Sequence, residues 1–170
     1  MKMDANLKIL CELQPNVLKR RLINEYRQLS LKYNDIDIIY NCISCETVII
    51  TINNCNNKFE FIIGKQYPFI KPSLIINDKL YLLEYLRMPV RFVLVYNKMY
   101  GNKCLCCSSL LCNKNWKPPF KIDDIIDEYN ATYITKKNII IKILSDTIKY
   151  KYLCSDIDLA QWLFTHEVRG

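Results

Sequence analysis

The chain has 170 residues, 51% of them hydrophobic, with 24 Lys and Arg against 17 Asp and Glu and a formal net charge of +7. That length and apolar content close one core without a metal to hold it. The basic residues are spread out rather than gathered, which argues against a nucleic-acid binder, and the apolar runs are too short and too broken by charges for a membrane span.

The opening MKMDANLKILCEL lacks the apolar stretch and small-residue cleavage site of a signal peptide. The expectation is a reducing compartment, cytoplasmic or nuclear (host cytoplasm if the source is viral). There the nine cysteines, an odd count, remain thiols. The bias toward Ile, Asn, Lys and Tyr fits an AT-rich genome, such as that of a large DNA virus or a protist.

Residues 16–33 carry Leu18, Leu22, Tyr26, Leu29 and Tyr33 at spacings of three and four, one apolar stripe of a helix entered after Pro15. Lys19, Arg20, Arg21 and Arg27 lie off the stripe, as a solvated face or a basic docking surface. Four strands follow: DIDIIYN at 35–41, ETVIITIN at 46–53, KFEFII at 58–63 and SLIIN at 73–77. The Asn-rich NNCNN at 53–57 supplies a turn, and the short links imply an antiparallel meander. Pro68 and Pro72 forbid ladder pairing in GKQYPFIKP, so 64–72 is an irregular segment with Tyr67 and Phe69 packed inward. Within the ambiguous stretch 78–100, KLYLLEYLRM suggests a short helix before Pro89. KIDDIIDEYN gives a helix from near Asp123, with acidic residues favourable in its first turn. Residues 136–153 give a further helix, with a strand left open by Ile139, Ile140 and Ile141, and 158–164 a last short one. The expected fold is α+β: an N-terminal helix, a four-stranded antiparallel meander and C-terminal helices. It forms a single domain over 1–170, with its core at about 16–155 and a helical extension at 156–170.

Gly101 to Trp116 holds Cys104, Cys106, Cys107 and Cys112. Cys42-x-x-Cys45 and Cys104-x-x-Cys107 have the spacing of a structural zinc site. Cys104-x-x-Cys107 also has the spacing of a redox pair, without the strand-to-helix setting of a thioredoxin-like motif. The alternative is one reactive thiol, with Cys106 and Cys112 as small buried residues. The sole histidine is His166 near the C-terminus, which argues against a Cys-His hydrolase.

The order of these elements resembles the ubiquitin-conjugating enzyme (UBC-like) superfamily. KRRLINEYRQL at 19–29 is similar to its opening helix, and KFEFIIGKQYPFIKPSLII at 58–76 to its third strand, Tyr-Pro-Phe-x-x-Pro signature and fourth strand. Gly101-Asn-Lys-Cys104-Leu105 resembles its Gly-x-x-Cys-Leu segment, and Trp116-Lys-Pro118 its Trp-x-Pro segment. The likeness covers about residues 19–126. It implies a UBC-like fold and a protein that carries ubiquitin or a ubiquitin-like modifier as a cysteine thioester and passes it to lysine. It implies an activating enzyme and a ligase as partners and needs no cofactor. By the same resemblance Cys104 is the nucleophile, with Cys107 as runner-up because it lies nearer Trp116. Tyr67, Pro68, Phe69, Pro72, Trp116 and Pro118 frame the site. No residue is assigned to a metal on this reading.

The family's His-Pro-Asn is missing. VLVYNKMYGNKC at 93–104 has no histidine, and Asn97 stands one residue out of step with the family's asparagine. Asn97 is the candidate oxyanion donor, and Asn102 a weaker one. The loop from Cys104 to Trp116 and the segment from Pro72 to Cys104 are both longer than in the family. These departures leave room for a catalytically inactive UBC-like module that binds ubiquitin or partner enzymes, and the cysteine cluster for a structural zinc site.

Overall fold

The computed structural model describes residues 4–13, 16–41, 47–54, 57–101 and 104–151. Two helices open the chain, α1 at Ala5–Glu12 and α2 at Val17–Leu29. Asp4 and Asn16 cap them, accepting from the backbone N–H of Asn6 and Lys19 respectively. On α2 the predicted stripe faces inward: Leu18, Leu22, Tyr26 and Leu29 are all buried. Tyr33 lies beyond the helix, partly buried against the core.

Five strands follow in sequential antiparallel order: β1 at Asp35–Asn41, β2 at Thr47–Asn54, β3 at Asn57–Ile63, β4 at Ser73–Ile76 and β5 at Lys79–Leu80. The expected count was four. The addition is the two-residue β5, folded back on β4 by Asn77 and Asp78, whose φ angles are 48° and 64°. Asn and Asp tolerate this left-handed geometry, which matches the twist of a two-residue hairpin. The register aligns apolar residues across the sheet. One row runs Ile38, Ile50, Phe61, Leu74, and a second runs Ile52, Phe59, Ile76. All seven side chains are buried, and they form one core with α2, Leu10 of α1 and the start of the last helix.

Residues 78–100 resolve into β5, a single π-helical turn at Tyr81–Tyr85, and α3 at Val90–Tyr100. The short helix expected over KLYLLEYLRM is thus a strand end plus one wide turn. Lys136 donates to the Tyr85 carbonyl at the end of that turn. The four-residue α4, Leu105–Ser108, precedes α5 at Ile122–Lys151.

The first two of the three helices expected after Trp116 are one helix of 30 residues, about 45 Å long. No Pro or Gly interrupts 122–151, so nothing breaks the ladder at the β-branched stretch between the expected segments. Tyr129 anchors α5 on the sheet, its ring edge-on to Phe59 at 5.2 Å and beside Tyr81 and Tyr85 at 6.1 and 5.9 Å. No helix among the described residues is long and apolar enough to cross a membrane. The last short helix expected at 158–164, the extension at 156–170 and His166 lie outside the described residues.

Candidate functional site

Helix α3 stops at Gly101, whose N–H donates to the Asn97 carbonyl at 2.9 Å. Gly101 has φ 87°, where a side chain is strained and glycine ends a helix at little cost. The chain then presents Cys104 in extended geometry at the head of α4. The Cys107 N–H donates to Cys104 Sγ at 3.4 Å, and the sulfurs of Cys104 and Cys106 are 3.0 Å apart. The three sulfurs of Cys104, Cys106 and Cys107 lie within 4.8 Å of one another.

This grouping sets the acidity of each thiol. The Cys104 pKa is lowered, because hydrogen bonds from the Cys107 and Cys106 thiols, with the Cys107 backbone N–H, favour its thiolate over the opposing effect of burial. Cys106 is pushed up to about 12, chiefly by its bond to Cys104 and then by burial. Cys107 also rises, mainly through its bond to Cys104. One charge therefore concentrates on Cys104, and the other two thiols act as donors to it. Cys106 and Cys112 are only half-buried, so neither is the core residue expected. The closeness of Cys104 and Cys106 was signalled by their C-x-C spacing.

The loop behind the thiols is fastened at several points. Leu105 and Leu111 enter the core. Asn115 donates to the carbonyls of Cys107 and Ser109 at 2.7 and 2.9 Å, and Ser108 Oγ donates to the Cys104 carbonyl at 3.1 Å. Glu128 on α5 accepts from the Leu110 N–H and from the Tyr81 hydroxyl. Burial raises the Tyr81 phenol well above its ordinary range, with the Glu128 carboxylate adding to it, so the hydroxyl stays a donor.

The far rim is built on the Tyr-Pro-Phe segment. Trp116 Nε1 donates to the Pro68 carbonyl at 2.8 Å, and its ring lies 6.1 Å from that of Tyr67. Tyr67, Pro68 and Pro72 are buried. Phe69 is not: it is 69% exposed and does not pack inward, because Gln66 to Ile70 close into a turn that carries it outward. Pro118 is also exposed.

Beneath Tyr67 sits a buried carboxylate, Glu25, only 3% exposed. It accepts from the Tyr67 hydroxyl at 2.6 Å, from the Ile122 N–H at 3.1 Å and from Arg21. Arg21 also donates to the Phe120 carbonyl at 2.6 Å, so it serves the interior rather than a solvated face or a docking surface. Sequence reasoning missed Glu25. Its signal was position: with Leu22, Tyr26 and Leu29 it completes the buried arc of α2.

Asn97 stands on the last turn of α3. Its Oδ1 is buried without a hydrogen-bond partner among the described residues, and no hydrogen bond joins Asn97 to Cys104 there. Asp124 accepts from the Lys121 N–H at 2.8 Å and Asp123 pairs with Lys32, as expected of charges that start a helix. Asn102, Cys42 and Cys45 lie outside the described residues. No family model, no curated protein and no solved structure matches the chain.

Proposed function

We propose that this chain is a divergent UBC-like protein that carries ubiquitin or a ubiquitin-like modifier as a thioester on Cys104. The observation that carries the reading is the half-buried Cys104 thiol at the head of α4, which accepts from the Cys107 N–H and is shifted toward its thiolate, in a chain whose Trp116 is tied to Pro68. The order of helix, meander, Tyr-Pro-Phe turn, cysteine loop, Trp-x-Pro and long helix supports it.

The chemistry is an exchange of thioesters. The Cys104 thiolate attacks the carbonyl carbon of the modifier's C-terminal thioester on the activating enzyme. A new sulfur–carbon bond forms, and the activating enzyme's thiolate leaves. A thiolate suffices for this step without a paired base. In the second step a lysine amine attacks the same carbon, gives its proton to solvent or a ligase-supplied base, and expels the Cys104 thiolate. Negative charge builds on the carbonyl oxygen, where a side-chain amide donor is worth about 2.7–4 kcal/mol. Asn97 is the candidate for that donor, its amide turned toward the thioester once the modifier is bound.

A charging assay tests the proposal. The protein is incubated with activating enzyme, ATP and modifier, and a reductant-sensitive adduct is sought. The adduct is expected with wild type and absent with Cys104→Ala. An adduct that survives in Cys104→Ala and vanishes in Cys107→Ala moves the nucleophile to Cys107. No adduct with any modifier refutes the carrier and leaves a UBC-like module that binds ubiquitin or partner enzymes.

A further inference from the structure

The three clustered thiols have chemistry beyond a single nucleophile. Metal–thiolate bonds of about 2.3 Å put three sulfurs around one ion at the corners of a triangle about 4 Å on a side. Here the three sulfurs lie within 4.8 Å of one another, the closest pair at 3.0 Å. Sulfur shifts of about 1 Å, within the reach of side-chain rotation, bring all three to bonding distance of one centre.

The backbone under them is already fixed. Cys104 is tied through Ser108 and through the Cys107 N–H, Cys107 through Asn115, and Leu105 is seated in the core. Little conformational entropy remains to be lost on binding. Cys107 is exposed, which gives an ion a way in. Among the described residues no other group of three His, Cys, Asp or Glu side chains converges in this way.

We propose that Cys104, Cys106 and Cys107 form a site for one thiophilic closed-shell cation, either Zn2+ with an open fourth position or Cu+ held trigonally. Thiolates without imidazole or carboxylate select these soft ions over Mg2+, Ca2+ or Mn2+. Each thiol that becomes a ligand releases its proton to solvent, and no oxidation is involved. The expected pair with Cys42 and Cys45 is not required. The site stands without the conjugating-enzyme reading. Where that reading also holds, ion and modifier compete for Cys104, and the ion blocks charging.

The test titrates the reduced full chain with Cd2+, as a spectroscopic stand-in for Zn2+, and separately with Cu+ under anaerobic conditions. Thiolate charge-transfer absorption in the ultraviolet is followed. One equivalent bound below micromolar is expected, and X-ray absorption should show at least three sulfurs around the ion, at about 2.3 Å in the Zn2+ complex. Three-sulfur binding in one arm alone names the ion; in both arms it makes the site one for soft closed-shell cations generally. Cys106→Ser and Cys107→Ser should each weaken binding about tenfold or more, while Cys11→Ser leaves it unchanged. Fewer than three sulfurs around the ion, no tight binding in either arm, or unchanged binding in the Cys104→Ser/Cys106→Ser/Cys107→Ser triple variant overturns the proposal. The wild-type absorption measurement decides even if a variant misfolds. Because no activating enzyme or modifier is present, the outcome is independent of the charging assay.

Discussion

Replacing Glu25 should cost more stability than any other single polar change among the described residues. The carboxylate is 3% exposed and holds three donors on three segments: Arg21, the Tyr67 hydroxyl and the Ile122 N–H. In Glu25→Ala the Tyr67 hydroxyl and the Ile122 N–H lose their acceptor inside the core. Each orphaned buried group costs about 1–3 kcal/mol. Arg21 is 21% exposed and partly recovers by turning to water. Breaking a buried ionic group from one side typically costs about 3–5 kcal/mol, and that is the expected loss. It is a large share of the roughly 5–15 kcal/mol that holds a domain of this kind folded.

Glu25→Gln keeps the shape and one acceptor, so about 1–3 kcal/mol should be lost. Tyr67→Phe should lose about 1 kcal/mol, because the carboxylate keeps its other two donors. The single and double variants are compared by urea denaturation, followed through the fluorescence of the two tryptophans, Trp116 and Trp162. The Glu25→Ala/Tyr67→Phe pair should lose less than the sum of its parts by about 0.5–3 kcal/mol. A Glu25→Ala loss below about 1 kcal/mol, or strict additivity, refutes the network as the tie between α2, the Tyr-Pro-Phe turn and α5.

Three further outcomes are expected. The Cys104 thiol is acidified, so its alkylation rate should reach half-maximum below the ordinary thiol value of about 8.5. Cys107→Ala should move that midpoint up, and Cys106→Ala up by less; peptide mapping of the label at pH 7 should find it first on Cys104, and a label that goes first to Cys106 refutes the arrangement. Trp116→Phe keeps a ring and removes the bond to Pro68, so it should cost about 0.5–1.5 kcal/mol in urea denaturation followed by far-ultraviolet circular dichroism, and no loss at all means the bond is not formed. Glu128→Gln should loosen the cysteine loop, seen as faster hydrogen exchange of the Leu110 amide by about tenfold or more, while exchange in β2 and β3 stays unchanged.

Much of the architecture was legible where periodicity was strong. The stripe of α2 and the alternation of Phe59, Phe61 and Ile63 each named a buried face, and the structure buries all of these side chains except the half-buried Tyr33. Local pattern failed where tertiary partners decide. Helix α1 is a short helix that seats Leu10 in the core, and Asn6 ties it to β1: its side chain donates to the Ile36 carbonyl and accepts from the Ile38 N–H. The segment 90–100 is mostly β-branched, aromatic or basic, which leaves helix and strand balanced; packing against α5 resolves it as α3. Phe69 shows the limit of composition: an aromatic between two prolines suggests burial, but the turn geometry sends it outward. Near the cysteine cluster, motif order singled out Cys104, Trp116 and Pro68, but not the bond that joins Trp116 to Pro68. The carboxylate beneath Tyr67 was not readable, because hydrogen-bond partners 42 positions apart in the chain leave no local trace.

Glu25 also bears on the order in which the molecule assembles. Two of its partners are 42 and 97 positions away along the chain. Bringing such distant points together costs loop entropy before any bond rewards it, so neighbouring hairpins of the meander close first. The carboxylate is then a late clasp, set after the sheet has formed. Its removal is expected to leave the folding rate nearly untouched and to quicken unfolding, which makes this one side chain a determinant of how long the folded molecule lasts.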